Sequence, residues 1–282
     1  TFTYAHTVAN AGPGTCQEYD NTATINETSQ TASASAIQCN TNTGALSKGF
    51  WQGPNGQNII KNSCAPNGGT SLLTFLTGLN PYNESALTGA TTCAKQATYV
   101  ANVINASTCT SSTSTCNTML KAQMLATALD VYYSTSVAHG GGGNLIGAYN
   151  GLGNTTPEIG GIAIDLTKVC PTTSTCATTF EDARPEFGLA TPKIGTTVLQ
   201  MLRYGNFCSV NGNSTASIPQ ANGSNAGPVG CGAGTSPVSN LGGTAWYAQN
   251  KNTKQVYAKD AFDDIDNQMA WIAPGNIGNP GF

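Results

Sequence analysis

Residues 15–39 read TCQEYDNTATINETSQTASASAIQC, and this stretch decides the first part of the fold. Thr, Ser and β-branched residues recur through residues 19–25 and through residues 31–37, and no helical period fits either run. Each run therefore predicts a β-strand. Cys16 and Cys39 bracket the two predicted strands.

The first residues, 1–8 (TFTYAHTV), alternate in a similar way and predict a third strand in front of a Gly-Pro-Gly turn at 12–14. Three strands barely form a stable sheet and cannot close a sandwich. Residues 1–43 are therefore predicted to be the last strands of an incomplete immunoglobulin-like sandwich. Such strands can fold back on the rest of the chain, belong to a longer chain, or pair with a neighbouring subunit.

Residues 44–282 are predicted to form a second, mainly helical and loop-rich domain, so the fold class is α+β. A Gly-Pro-Asn-Gly turn is expected at 53–56 and one strand at 161–169. The stretch 116–134 gives the strongest helical pattern, with Asn117 as a cap and Leu120, Met124, Ala128 and Val131 on one side. The other predicted helices are 71–79 (capped by Thr70 or Ser71), 90–107, 198–204 (starting at Thr196 or Thr197) and a last helix near 254–272.

The surface is predicted to rely on hydroxyl and amide groups for solubility. Only 9% of the residues are charged, against roughly 25% in average proteins, and the formal net charge is -3. The 11 Lys and Arg residues are scattered, which excludes a basic surface for nucleic acid. No apolar run is long enough to span a membrane. Because the chain starts at Thr1 and lacks a signal peptide, we expect a processed or excised form.

The ten cysteines indicate disulfide bonds and an oxidising compartment outside the cell. No Cys-x-x-Cys pair occurs, which argues against the alternative of a zinc site. Sequential pairing would close five polar loops, although spacing alone does not fix the connectivity. The candidate residues, in sequential order, are Cys16 and Cys39, Cys64 and Cys93, Cys109 and Cys116, Cys170 and Cys176, and Cys208 and Cys231.

Asn-x-Ser/Thr sequences are candidate glycosylation sites if the protein is exported. In a chain this rich in Asn, Ser and Thr, several of them are expected by chance. The six candidates are Asn26, Asn83, Asn105, Asn154, Asn213 and Asn222.

A series of short motifs resembles the C-terminal part of large bacterial secreted or cell-surface proteins. The motifs are YDNTATI at 19–25, SASA at 33–36 before Cys39, GFWQ at 49–52, NGQNI at 55–59, MLKAQMLATALDVYYS at 119–134 and AKDAFDDIDNQ at 258–268. In such proteins the last strands of a surface-repeat β-sandwich lead into a GFWQ-type module. The resemblance implies an extracellular location and structural or adhesive work, without an enzymatic role.

Candidates for catalysis are few. HGGGG at 139–143 is similar to a lipase oxyanion loop, but no Gly-x-Ser-x-Gly elbow accompanies it, so a flexible or close-packed turn is preferred. A Ser-His-Asp triad would need His6 or His139. Paired carboxylates for acid–base work are available at Glu181, Asp182 and Glu186, and at Asp260, Asp263, Asp264 and Asp266, which we expect to be solvated on a helix surface.

No cofactor is predicted, with calcium on the last helix as the alternative. The aspartates there lack the calcium-loop spacing, and a helix spreads them around its axis. Trp51, Trp246 and Trp271 would suit a sugar-stacking platform, but the neighbourhoods of Trp51 and Trp246 favour core packing instead.

The sequence therefore favours a non-enzymatic extracellular structural protein, a glycoprotein subunit of a surface filament that self-assembles through its N-terminal strands. The expected partner is a further copy of the chain in a homopolymer. An adhesin or carbohydrate-binding module that contacts a cell surface or glycans is the first alternative. A secreted hydrolase is the second.

Overall fold

The computed structural model describes residues 16–25, 28–39, 44–109, 116–143, 145–146, 158–171, 179–187, 189, 194–210, 218–219, 225–226, 253–271 and 273. Within these residues the fold combines N-terminal strands with a mainly helical remainder. The predicted α+β class is therefore confirmed. None of the helices in these ranges is sufficiently long and apolar to cross a bilayer.

The first element is a two-stranded antiparallel hairpin. Strand β1 (Cys16–Ile25) pairs with β2 (Gln30–Cys39), in a register that runs from Cys16 opposite Cys39 to Ile25 opposite Gln30. A short turn joins them, in which the Thr28 N–H donates to the Ile25 carbonyl at 3.2 Å. Both predicted strands are present, and each is longer than its sequence pattern indicated. The predicted strand at 1–8 and residues 40–43 at the domain boundary lie outside the described residues.

Eight α-helices follow in the described part of the chain. They are α1 (Lys48–Gln52), α2 (Pro54–Ser63), α3 (Leu72–Thr77), α4 (Ser85–Thr88), α5 (Cys93–Asn105), α6 (Asn117–Ser134), α7 (Val198–Val210) and α8 (Thr253–Asp266). Short 3-10 turns occur at Asn80–Tyr82, Val137–His139, Ile159–Gly161 and Pro185–Phe187. All the predicted helices are present.

Local capping chemistry sets several of the helix starts. The hydroxyls of Ser71 and Thr92 accept hydrogen bonds from backbone N–H groups in the first turns of α3 and α5. The turn expected at 53–56 is wrong, because Pro54 occupies the first turn of α2, where its fixed backbone angle suits a helix. Gly56 lies against the preceding helix, and a β-carbon there would approach the Phe50 carbonyl to 2.5 Å.

Helix α6 is the centre of the core. Its predicted apolar side is buried, and so are its remaining faces from Ala122 onward. Helices α1, α3, α5, α7 and α8 all pack against it, so it is enclosed on every side. The helix begins at Asn117 with Cys116 in the cap position, one residue before the cap expected from the sequence.

Two short antiparallel pairs complete the strands of the described residues. Strand β3 (Ala163–Asp165) pairs with β4 (Gly195–Thr197), and β5 (Ile218–Pro219) pairs with β6 (Asn225–Ala226). Strand β3 is the central part of the strand predicted at 161–169. Strand β4 leads directly into α7, whose first turn the Thr197 hydroxyl caps by accepting from the Gln200 N–H at 3.3 Å.

Candidate functional site

The aspartates of α8 are the largest departure from the sequence analysis. They were expected on a solvated surface, yet Asp260, Asp264 and Asp266 are buried, with at most 2% of each residue exposed. Asp263 is half-buried. The reason is tertiary, because α8 packs against α6 on one side and against the 3-10 turn Pro185–Phe187 on another. The expectation of solvated acids on this helix is therefore wrong.

Glu181 and Asp260 form one carboxyl pair. The two side chains are hydrogen-bonded, and burial together with the Asp260 charge raises the pKa of Glu181 to about 7. Burial also raises the pKa of Asp260, although Lys259 forms an ion pair with it. Glu186 is buried nearby, and its charge also raises the pKa of Glu181. The pair can hold one proton between two carboxyls and exchange it near neutral pH.

Asp182 differs from its neighbour Glu181. Its carboxylate accepts two hydrogen bonds from the Arg184 guanidinium at 2.9 and 2.6 Å, and this pairing lowers the pKa of Asp182. Its side chain is 46% exposed. Of the candidate carboxylates around 181–186, Asp182 is therefore a surface ion-pair partner, whereas Glu181 is half-buried and Glu186 is buried.

Asp264 is hydrogen-bonded to a backbone group rather than to another side chain. Its Oδ2 accepts a 2.7 Å hydrogen bond from the backbone N–H of Cys170, which ties α8 to the chain that follows β3. Burial raises the pKa of Asp264 to about 8. The carboxyl is therefore protonated over most of the physiological range and acts as a neutral hydrogen-bonding group.

A polar seam joins α6 to α8, and we call it the α6–α8 seam. Its residues are Gln123, Thr127 and Asp130 on α6, at a spacing that places them on one helix face, and Asp263 and Asp266 on α8. The Gln123 amide donates to Asp263 Oδ1. The Thr127 hydroxyl donates to Asp266 Oδ1 at 2.6 Å. The seam therefore holds α8 to the central helix through side-chain hydrogen bonds.

Asp130 links the seam to α1, a role that the sequence analysis missed. Its Oδ1 accepts from the Trp51 indole N–H and from the Leu46 backbone N–H, both at 3.0 Å. Burial raises the pKa of Asp130 well above its ordinary value. The available signal was a lone acid inside the apolar run ATALDVYYS, a position where a charged residue is rare unless it has partners.

The glycine-rich loop after α6 is closed by its own hydrogen bonds. The N–H groups of Gly140, Gly141, Gly142 and Gly143 donate to the carbonyls of Val137, Ser136, Tyr132 and Thr135, respectively. An oxyanion hole needs N–H groups directed at a substrate, and these four are already engaged. The preferred interpretation of HGGGG at 139–143 as a close-packed turn therefore agrees with the geometry.

His139 lies at the exposed end of this loop. Its Nδ1 is 2.7 Å from Glu158 Oε1, and the same oxygen accepts from the Ser136 backbone N–H at 3.0 Å. This arrangement orients the imidazole, and within the described residues no hydrogen bond joins His139 to a serine hydroxyl. His6, the other histidine, lies outside the described residues.

The aromatic candidates divide between core and surface. Trp51 is fully buried and stacks on Tyr133 at 5.4 Å between ring centroids, as the preferred core interpretation expected. Trp271 is half-buried, with Phe180 edge-on at 5.8 Å and the Lys168 ammonium 4.6 Å above its ring. Trp246 lies outside the described residues.

Disulfide bonds staple the helical part. Cys64 at the end of α2 is bonded to Cys93 at the start of α5, and Cys109 is bonded to Cys116 at the start of α6. Both pairs follow the sequential order. Cys170 is also disulfide-bonded. Cys176 and Cys231 lie outside the described residues, and the structure describes only the backbones of Cys16, Cys39 and Cys208.

Two of the six glycosylation candidates lie in described parts of the chain. Asn83 and Asn105 are both exposed, the first before α4 and the second as the last residue of α5. The side-chain Oδ1 of Asn105 accepts from the Gln52 amide. Asn26, Asn154, Asn213 and Asn222 lie outside the described residues.

Metal ligands do not come together in the described ranges. No three or more His, Cys, Asp or Glu side chains there are arranged to hold a metal ion.

A scan against protein-family models finds no match, and no curated protein or solved structure is significantly similar to the chain. The function is therefore inferred from the geometry of the chain itself.

The hairpin is the second feature with functional consequences. Every side chain that the structure describes on it, at 20–25 and 28–33, is exposed, including Ile25 at 52%. Within the described residues, no third strand pairs with β1 or β2, and no helix packs extensively on them. Both outer edges therefore present backbone N–H and C=O groups without a strand partner there.

Proposed function

We propose that the chain is a non-enzymatic extracellular structural protein, whose copies assemble through the β1–β2 hairpin. The observation that carries the proposal is the exposure of the hairpin side chains at 20–25 and 28–33, together with two outer edges that no other described strand pairs with. A ten-residue strand with open backbone groups is a template for strand addition. Folding back on the helical part does not cover the described hairpin side chains, so a neighbouring chain is the preferred partner.

The partner is a second copy of the same chain in a homopolymer. If the hairpin of one copy pairs with an edge at a different place on the next copy, the contact does not close and a filament grows. The hairpin is rich in Thr and Ser, and its own strands are tied by the Thr22–Ser33 hydroxyl contact at 2.9 Å. Such a hairpin is preformed, which lowers the entropic cost of strand addition.

The disulfides are consistent with a secreted or extracellular protein. The proposal adds a cell-surface location and glycans on exposed sequons. Asn83 and Asn105 are the two candidates whose accessibility supports modification. Low charge and disulfide staples both suit a durable polymer outside the cell.

Edge-blocking substitutions test the assembly. Asn21→Lys with Ala23→Lys places two exposed lysines on β1, where charges discourage strand addition without removing core packing. Asn58→Lys with Asn102→Lys adds the same charge to exposed positions on α2 and α5 and serves as the control. Light scattering and negative-stain microscopy should show polymers for the wild type and the control, and monomers for the β1 variant. Polymers of the β1 variant equal to wild type would exclude hairpin-mediated assembly.

A carbohydrate-binding adhesin is the second candidate, supported by the surface group of Phe180, Trp271 and Lys168. Phe180 is 38% exposed, and an aromatic pair beside a cation suits a sugar ring with an acidic substituent. A glycan array tests this function. Binding that is lost in Phe180→Ala, but kept in the edge-blocked hairpin variant, would favour the adhesin over the polymer.

A hydrolase is the weaker alternative. Its support is the Glu181–Asp260 pair, with a Glu181 pKa of about 7. Turnover of a glycan or peptide substrate that disappears in Glu181→Gln would support this function.

A further inference from the structure

The two buried carboxyls of the α6–α8 seam have more acceptor oxygens than there are neighbouring groups that donate to them. Asp130 and Asp266 are both at most 1% exposed. On each side chain Oδ1 accepts hydrogen bonds, from Leu46 and Trp51 on one and from Thr127 on the other. On each side chain Oδ2 is buried without a hydrogen-bond partner.

An ionised carboxylate has only acceptor atoms. Two ionised groups here would therefore leave two charged oxygens unpartnered in the protein interior, where an unpaired charge is far more costly than an unpaired neutral group. Their charges would also repel, since the charge of Asp130 acts directly on Asp266. The state in which both carboxyls are ionised is therefore unfavourable for two reasons, the unpartnered charged oxygens and the repulsion between the two charges.

The other charged groups at this interface do not offset that penalty. Lys48 on α1 is the cation whose charge favours ionised Asp266, but its Nζ donates to the Met119 sulfur at 2.8 Å. On α8 itself, Lys259 is engaged with Asp260, Asp263 adds a charge that raises the pKa of Asp266, and Asp264 is neutral below about pH 8. Glu186, from the 3-10 turn that packs on α8, adds another. Tyr132 and Tyr133 on α6 are neutral phenols. The balance of charge around the pair is negative.

We propose that Asp130 and Asp266 act as a proton-operated latch, whose carboxyls are both protonated while α8 is docked on α6 and whose ionisation loosens α8. Burial is the main cause that raises the pKa of each group, and the charge of Asp130 raises that of Asp266 further. A raised pKa in the folded state means that folding takes up protons, so docking of α8 weakens as the pH rises. The latch is closed in acidic surroundings and opens in alkaline ones.

Asparagine is the test residue because it is neutral and isosteric with a protonated carboxyl. The variants are Asp130→Asn, Asp266→Asn and the double variant, with Asp20→Asn on the exposed hairpin as the charge-matched control. Melting temperatures are measured between pH 5 and pH 9 in buffer containing a chelator. Wild type and control should lose melting temperature as the pH rises. Asp266→Asn should lose less and exceed wild type at pH 9 by at least about 2 °C.

The double variant separates the pair from other titrating groups. Because each ionised carboxyl raises the pKa of the other, removing one lowers the pKa of the survivor. Each single variant should reduce the loss of melting temperature between pH 5 and pH 9. The two reductions added together should therefore exceed the reduction in the double variant. Additive single effects would show that the two carboxyls titrate independently and would overturn the latch.

Hydrogen exchange of the wild type provides a measurement that does not depend on the variants. After correction for intrinsic exchange rates, amide protection in α8 should fall at least about tenfold from pH 5 to pH 9 while that of α5 stays level. Protection of α8 that does not change with pH overturns the proposal. So does a rise in wild-type melting temperature on adding Ca²⁺ or Mg²⁺ that Asp266→Asn abolishes, because the seam would then hold a metal ion rather than protons.

Discussion

The Thr127 hydroxyl on α6 donates a 2.6 Å hydrogen bond to Asp266 Oδ1 on α8, and both groups are fully buried. This one contact joins the central helix to the last helix across almost 140 residues of chain, at a sequence separation of 139. Within the described residues, this is the hydrogen bond that Asp266 Oδ1 accepts, whereas Oδ2 has no partner. One of the hydrogen bonds that attach α8 to the central helix therefore comes from a threonine that no sequence motif marks.

Thr127→Val should destabilise the protein by about 1 to 3 kcal/mol, because it leaves both oxygens of a buried carboxyl without a donor while preserving side-chain shape. Urea unfolding followed by circular dichroism measures the change. Thr98→Val on the exposed face of α5 is the control, since its hydroxyl bonds only to the Ala94 carbonyl of its own helix. Equal stabilities for the two variants would contradict the role assigned to Thr127.

Removing the hydroxyl group from each of two neighbouring tyrosines on α6 should change the free energy of unfolding in opposite directions. The Tyr132 hydroxyl donates to the Thr70 carbonyl at 2.8 Å, whereas the Tyr133 hydroxyl is buried without a hydrogen-bond partner. Tyr132→Phe should therefore lower the free energy of unfolding by about 1 kcal/mol. Tyr133→Phe should raise it by a similar amount, since it removes an unpaired polar group and keeps the ring that stacks on Trp51.

Chemical unfolding of both variants under identical conditions checks this pair. Each variant serves as the control for the other, because the substitution removes the same atom in both. Destabilisation by Tyr133→Phe would mean that its hydroxyl has a partner, such as a buried water, in solution.

Local signals predicted much of the fold. The cap Ser71 precedes a helix where the sequence placed it, and the Thr- and Ser-rich runs at 19–25 and 31–37 form the hairpin. These elements follow from contacts within a few residues. The turn predicted at 53–56 is wrong because Gly-Pro-Asn-Gly fits both a turn and a helix start, and in the fold Pro54 begins α2 while Gly56 lies against Phe50.

The carboxyl sites could not be predicted in the same way. The burial of Asp260, Asp264 and Asp266 depends on which face of α8 meets α6, and spacing on a single helix does not determine that. The partner of Asp130 is Trp51, 79 positions away. The pairing of Glu181 with Asp260 likewise joins distant segments. The sequence identified acidic residues as candidates, but their partners are determined by how the helices pack in the tertiary structure.

The two described disulfides should contribute unequally to stability. Cys64–Cys93 closes a loop with a sequence separation of 29, and Cys109–Cys116 closes one with a separation of 7. In the chain-entropy model these loops correspond to about 3.6 and about 2.4 kcal/mol. Replacing both cysteines of one pair by serine should therefore cost more for the first pair, as measured by chemical unfolding. A larger loss for the shorter loop would show that strain or residual structure outweighs loop entropy here.

Asp264 predicts that this protein is more stable in mild acid than in mild alkali. Its pKa is about 8 in the folded state, because of burial, and about 3.9 in an unfolded chain. Since the folded pKa is the higher one, the stabilisation is complete below about pH 4 and is lost as the pH rises through 8. In that window each unit of pH should cost roughly 1.4 kcal/mol for this group alone.

Asp264→Asn should remove the contribution of Asp264 to the loss of unfolding free energy with rising pH, because an amide cannot ionise. Its oxygen can still accept the hydrogen bond from the Cys170 N–H. The stability advantage of the variant over wild type should grow steadily from pH 5 to pH 8, because only the wild type loses stability across that window. Asp182→Asn is the control, because Arg184 lowers the pKa of Asp182, so its contribution is lost only as the pH falls below the window. Urea unfolding at pH 5, 6.5 and 8 measures all three proteins. A wild type that is more stable at pH 8 than at pH 5 would refute the assignment of a protonated Asp264.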